Sequence, residues 1–144
     1  MTNTKHTLDL KKAREEATKR FLIIADTLKK EAGVTGHKIT KTLSGRAFSD
    51  GTIKAPEGRT RNQLYILARE CGHIALKHSG STKPKHRREF EAEKYAHNAL
   101  RRHGVAVPRK MTARAKRYVR RKIDQALKCG AKKIDAEALA WGQA

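Results

Sequence analysis

The sequence predicts an α+β fold, mainly helical with a small antiparallel sheet. Apolar residues recur at spacings of three and four in several segments, this period is lost between Gly36 and Pro56, and glycine or proline marks most segment ends. A chain of 144 residues suffices for one domain with a modest core and is short for two. We expect one domain over residues 1–144, with a core at 1–104 and a basic helical extension at 105–144.

The first helix is predicted by apolar residues that share one helical face. Asp9 is its expected N-cap and Gly33 its expected end. The residues of the face are Leu10, Ala13, Ala17, Phe21, Ile24 and Leu28.

The segment from Gly36 to Pro56 is rich in Thr, Gly, Ile and Phe and has no helical period. The turn residues Ser49-Asp50-Gly51 lie between AF and TI, which predicts a short hairpin. Pro56 is expected to end the second strand or to cap an edge.

Two central helices follow the hairpin. The first is predicted to begin near Thr60, and the second to run from about Arg87 to His103 and end at Gly104. The loop between them, HSGSTKPKH, has turn residues and charge but no period. The expected buried side of the first is Leu64, Leu67, Ala68, Cys71 and Ile74 or Ala75.

The extension beyond Pro108 is predicted to hold two more helices. Thr112 is the expected N-cap of the longer one and Gly130 its C-cap, while Asp135 caps a short last helix that ends near Trp141. The apolar residues of the longer helix are Ala115, Tyr118, Val119, Ile123, Ala126 and Leu127.

Charge and composition narrow the class of function. Lys and Arg number 34 against 14 Asp and Glu, and this net charge of +20 favours an acidic polymer as partner. No apolar run approaches the roughly 20 residues that cross a bilayer, and the N-terminus lacks a secretion signal. The two cysteines, Cys71 and Cys129, do not suggest a disulfide framework, so we expect a cytoplasmic protein.

Residues 67–78 read LARECGHIALKH and differ from an H-E-x-x-H zinc motif at Arg69 alone. Helix geometry places Arg69, Glu70 and His73 on one face. On the next helix, Glu89 and Glu93 share a face with alanine and leucine. Because a buried carboxylate without a partner costs several kcal/mol, something cationic is expected to meet these two glutamates.

With the stretch EFEAEKYA (89–96), this motif resembles those of the gluzincin metallopeptidases, particularly the ImmA/IrrE-like group, over about residues 36–100. The resemblance implies that Glu70 is the general base, that His73 and Glu89 are zinc ligands, and that Glu93 is an acid that orients a histidine. It also implies a phage or mobile-element setting, where such proteins cut repressors.

Arg69 is the departure from that family, because a guanidinium has no lone pair to give a metal. We hypothesise that Arg69 stands in the metal's place and provides positive charge for Glu89 and Glu93 in an ion-pair cluster, with no cofactor. His78 could reach the same site only if the helix ended at once, and His86 has no spacing that recommends it.

Two alternatives to this cluster stay open. In the first, Arg69 extends to solvent and the two glutamates are exposed. In the second, the protein is an active zinc peptidase with an altered ligand set, in which Glu70 still activates water.

Positive charge is concentrated at the C-terminal end of the chain. Residues 101–133 hold 13 Lys or Arg and one acid, Asp124. Four of them form what we call the basic stripe, expected on the side of its helix away from Tyr118, Ile123 and Ala126: Arg114, Arg117, Arg121 and Lys128. Arg101, Arg102, Arg109 and Lys110 are further candidate contacts.

These cations favour a nucleic-acid partner, duplex DNA or structured RNA, bound through the phosphate backbone. Seven aromatic residues are too few to indicate a stacking platform for single strands. A solvated helix face is the simpler reading of the stripe, and a membrane ranks lower because no Trp or Phe flanks the apolar side. The sequence therefore predicts a catalytically degenerate, peptidase-like protein that binds nucleic acid.

Overall fold

The computed structural model describes residues 4–144 and confirms the α+β class. Within these residues five helices and three short strands follow one another. They are α1 (Thr4–Ala32), β1 (Gly36–Ile39), β2 (Arg46–Ala47), β3 (Thr52–Ala55), α2 (Arg61–Ala75), α3 (Lys85–Arg102), α4 (Arg109–Lys128) and α5 (Ala136–Gln143). No helix in residues 4–144 is both long and apolar enough to cross a membrane.

The sheet is mixed, with strand order β1-β3-β2, so the expectation of an antiparallel sheet was wrong in part. β2 and β3 form the expected antiparallel hairpin, and its turn contains Gly51 at φ +88°. β1 pairs with β3 in parallel, with Gly36 opposite Thr52. Alternating side chains show that a segment is extended but do not reveal its partner, which is why the sequence did not predict the parallel pair.

α2 lies at the centre of the core. Its predicted face is confirmed, since Leu64, Leu67, Ala68 and Cys71 are fully buried, while Ile74 and Ala75 are half-buried. Thr60 is the N-cap, and its hydroxyl accepts a hydrogen bond from the Gln63 amide. This packing fixes the opposite face of α2, which carries the motif residues.

The first half of α1 departs from the prediction. Asp9 lies inside the helix, which already includes Thr4, so it is not the N-cap. Leu10 is 46% exposed and Ala13 is exposed, and burial is complete only at Ile24 and beyond. An apolar stripe is buried only where another element covers it, and the rest of the domain meets α1 over its second half.

The boundaries of α4 also differ from the prediction. Pro108 is the N-cap, so Thr112 lies one turn inside the helix. Leu127 is 53% exposed, and Tyr118 and Ala126 are half-buried. Leu127 continues the row of residues four apart that forms the buried face of α4 but is left uncovered; the buried members of that row are Met111, Ala115, Val119 and Ile123.

α5 begins as expected. The Asp135 carboxylate accepts a hydrogen bond from the Ala138 amide at 2.9 Å, which makes Asp135 the N-cap. Val119 and Ile123 of α4 pack with Phe90 of α3 and Ala138 of α5 in a small second cluster.

Candidate functional site

Two adjoining cavities lie where α2, α3, α4 and β2 meet, and both are lined by Gly45, Arg69 and Tyr118. The larger, about 410 Å³, also contains His73 and Glu89, and we call it the histidine cleft. The smaller, about 350 Å³, is lined by four arginines, and we call it the arginine pocket. The sequence-predicted motif residues therefore line one continuous region of the surface.

Arg69 is held inside the protein by two glutamates. Its Nε and Nη2 donate to the same oxygen, Oε2 of Glu70, at 3.0 and 2.9 Å, and its Nε lies 3.9 Å from Oε1 of Glu93. Burial opposes the charge of the guanidinium, but Glu70 and Glu93 outweigh it and raise the pKa of Arg69. The side chain is 13% exposed, so the alternative in which it extends to solvent was wrong.

Glu89 pairs with His73 and not with Arg69, contrary to the hypothesised cluster. Its carboxylate lies 3.2 Å from Nε2 of His73 and makes no direct ion pair with Arg69. Burial would raise the pKa of Glu89, but the hydrogen bond and charge of His73, with a smaller contribution from Arg69, lower it. The resemblance placed His73 and Glu89 together as ligands of one metal, but a direct pair between the two side chains was not predicted.

Glu93 is the most deeply buried acid of the site, at 1% exposure. The Tyr65 hydroxyl donates to its Oε1 at 3.2 Å, and its Oε2 has no hydrogen-bond partner among residues 4–144. Burial raises the pKa of Glu93 to about 7, even though Arg69 and Tyr65 act to lower it. Tyr65 was missed, although its position one turn before Arg69 places it on the same face of α2.

His78 lies against His73, because α2 ends at Ala75 and the chain folds back. Their Nδ1 atoms are 2.8 Å apart, His73 Nε2 faces Glu89, and His78 Nε2 lies 2.9 Å from Glu91. If each Nε2–H donates to its carboxylate, the two Nδ1 atoms must share one further proton. Burial, together with the nearby His73 ring, lowers the pKa of His78.

The donor set of the histidine cleft does not fit a zinc ion. Within residues 4–144 no three His, Cys, Asp or Glu side chains are grouped so that they could hold a metal. Both ring nitrogens of His73 face protein groups, and the carboxylate of Glu70 is already bound by the guanidinium of Arg69. His86 does not line the histidine cleft, and its Nε2 accepts a hydrogen bond from the Asp135 amide.

Gly45 is a site residue that the sequence did not reveal. A Cβ at this position would lie 2.7 Å from Cγ of Glu70 and 2.8 Å from the carbonyl oxygen of Lys54. No real Cβ tolerates such distances, so glycine is needed for the chain to pass over Glu70. A side chain at position 45 would therefore displace the carboxylate that binds Arg69.

Comparisons with known proteins leave the family open. No family model, no curated protein and no solved structure matches the chain. The resemblance to gluzincins therefore stays a prediction that rests on residues 67–78 and 89–96.

The basic stripe borders the arginine pocket. Arg117, Arg121 and Lys128 are exposed, whereas Arg114 is half-buried and donates to the Leu43 carbonyl at 2.6 Å. The expectation that the stripe faces away from Tyr118 was wrong, because the Arg121 guanidinium lies 5.9 Å from the centre of the Tyr118 ring.

Arg101, Arg102, Arg109 and Lys110 are exposed at the end of α3 and the start of α4. Lys110 lies on the line of the stripe, seven residues before Arg117, while Arg109 lies off it. Arg102 pairs with Glu31 at 3.1 Å. It is the only one of the 13 cations in 101–133 that forms an ion pair with a residue in 4–144.

Proposed function

We propose that the protein binds nucleic acid, duplex DNA or structured RNA, through the phosphate backbone. The basic stripe and Lys110 make the contacts, and the peptidase-like cleft serves as a scaffold that works without a cofactor. The observation that supports the proposal is that these positive charges are not neutralised. Within residues 4–144, none of the five cations has an acidic partner.

The geometry of α4 suits this role. Its opposite face is anchored by Met111, Ala115, Val119 and Ile123, so the cations are held on a rigid helix. From Lys110 to Lys128 there are 18 residue steps, roughly 27 Å at the rise of an α-helix. Each phosphate that such a cation neutralises releases counterions, which makes the binding favourable and dependent on salt.

A membrane surface fits these observations less well. The outward side of α4 offers Leu127 as its one large exposed hydrophobic residue, and interfacial helices need a wide apolar face. A cytoplasmic location belongs to the proposal, and its support is that Cys71 and Cys129 are both free thiols.

The test is binding of a labelled duplex over a series of salt concentrations. Arg117→Glu with Arg121→Glu is the informative variant, because neither side chain holds the fold, whereas Arg114 is bonded to Leu43. We expect weak binding in this variant and a shallower slope of log affinity against log salt.

The matched control is Lys11→Glu with Lys19→Glu on α1, which changes the net charge equally at exposed positions. We expect this control to keep most of the affinity. Equal losses in the two double variants would show that net charge, and not the stripe, drives binding.

A further inference from the structure

The arginine pocket is a concavity that three residues of the basic stripe help to line. Four guanidinium groups line it, from Arg69 on α2 and from Arg114, Arg117 and Arg121 on α4. Its volume of about 350 Å³ exceeds many times the roughly 30 Å³ that one water occupies, so a phosphate and its attached sugar fit inside.

Two of these arginines are available to a ligand. Arg69 is engaged by Glu70 and Glu93, and Arg114 donates to the Leu43 carbonyl. Arg117 and Arg121 are exposed and form no ion pair with any residue in 4–144. Paired guanidiniums bind phosphate oxygens two at a time, so they can close over an anion that enters between them.

Glu93 is the one acid that lines the arginine pocket. Its Oε2 is buried and lacks a hydrogen-bond partner among residues 4–144, which is unusual for a buried polar atom. Because burial raises the pKa of this carboxyl to about 7, it is largely neutral below that pH and adds little negative charge to the pocket.

We propose that the arginine pocket binds the terminal phosphate of a nucleic-acid strand. The inference rests on the proposed function, because the stripe brings the strand to the pocket. An internal phosphate is tied to sugars on both sides and carries one charge, whereas a terminal phosphate is tied on one side and carries nearly two. The terminal group can therefore enter a concavity that the continuous backbone passes over.

The experiment compares one short duplex in three forms: with a 5′-phosphate, with a 3′-phosphate, and with hydroxyl groups at both ends. We expect one phosphorylated form to bind the full chain about tenfold more tightly than the hydroxyl form, the effect of charge-assisted hydrogen bonds. Whichever form is preferred identifies the strand end.

Two single variants separate the pocket from the stripe. Arg117→Gln removes a cation that lines the pocket, and Lys128→Gln removes one on the stripe outside it. We expect Arg117→Gln to abolish most of the preference for the phosphorylated form. Lys128→Gln is expected to weaken all forms by the same factor and leave the preference intact.

Equal affinity of the native chain for all three forms would overturn the pocket assignment and leave backbone binding in place. A preference that Arg117→Gln and Lys128→Gln reduce alike would also overturn it. If no form bound the native chain, the proposed function and this inference would both be wrong.

Discussion

Replacement of Glu93 by glutamine is expected to make the protein more stable at high pH. The pKa of Glu93 is raised from 4.5 to about 7 by burial, so the folded chain holds a proton that the unfolded chain releases. The stability that the neutral Glu93 contributes is therefore fully present below pH 4.5, and it is lost as the pH rises from there through about 7. At 1.36 kcal/mol per pKa unit, the loss is on the order of 3 kcal/mol.

Glutamine imitates the neutral acid, since its Oε1 can accept from Tyr65 and its amide replaces the unpartnered Oε2. Because glutamine does not titrate, Glu93→Gln avoids the loss. We expect its free energy of unfolding, relative to the native chain, to grow by roughly 3 kcal/mol between pH 4.5 and the range above 7. Urea unfolding at a series of pH values measures this difference.

The matched control is Glu16→Gln, which replaces an exposed carboxylate on α1. An exposed carboxylate is hydrated in the folded and the unfolded chain, so no comparable trend is expected from the control. If the difference for Glu93→Gln were independent of pH, Glu93 would ionise as easily in the folded protein as in the unfolded one, and the reasoning would be refuted.

Two further substitutions test the Arg69 cluster through the free energy of unfolding. Arg69→Ala leaves Glu70 and Glu93 buried without their cation and is expected to cost about 3 to 5 kcal/mol, while Arg69→Lys, which keeps the charge, costs less. A melting curve that hardly moved in Arg69→Ala would count against the cluster. Gly45→Ala places a Cβ 2.7 Å from Glu70 and is expected to cost about 1 to 3 kcal/mol, more than Gly36→Ala, whose nearest contact is 3.2 Å. Equal costs at the two glycines would contradict the close approach.

The fold could be predicted where local pattern and tertiary packing agree. The buried face of α2, the Thr60 and Asp135 caps and the hairpin turn at Gly51 follow from period and turn chemistry. The parallel pairing of β1, the exposed first half of α1 and the inclusion of Thr112 in α4 depend on what lies alongside each segment. Side-chain period does not contain that information.

The site could be predicted as a set of residues but not as a set of pairs. Helix spacing shows that Arg69, Glu70 and His73 share a face, and the structure places them together. The pairing of Arg69 with Glu70, and of His73 with Glu89, depends on side-chain conformations and on the backbone at Gly45. Alternative pairings in this site differ by a few ångströms in the positions of the charged atoms, and spacing along a helix does not distinguish between them.

The zinc content of the purified chain, measured by elemental analysis beside Arg69→His, tests most directly whether Arg69 has replaced a metal. We expect the native chain to be free of zinc and Arg69→His to take up about one ion for each chain, because histidine restores the missing donor. One zinc ion in each native chain would contradict the account, since Arg69 would not then occupy the metal's place and a peptidase would become the better proposal.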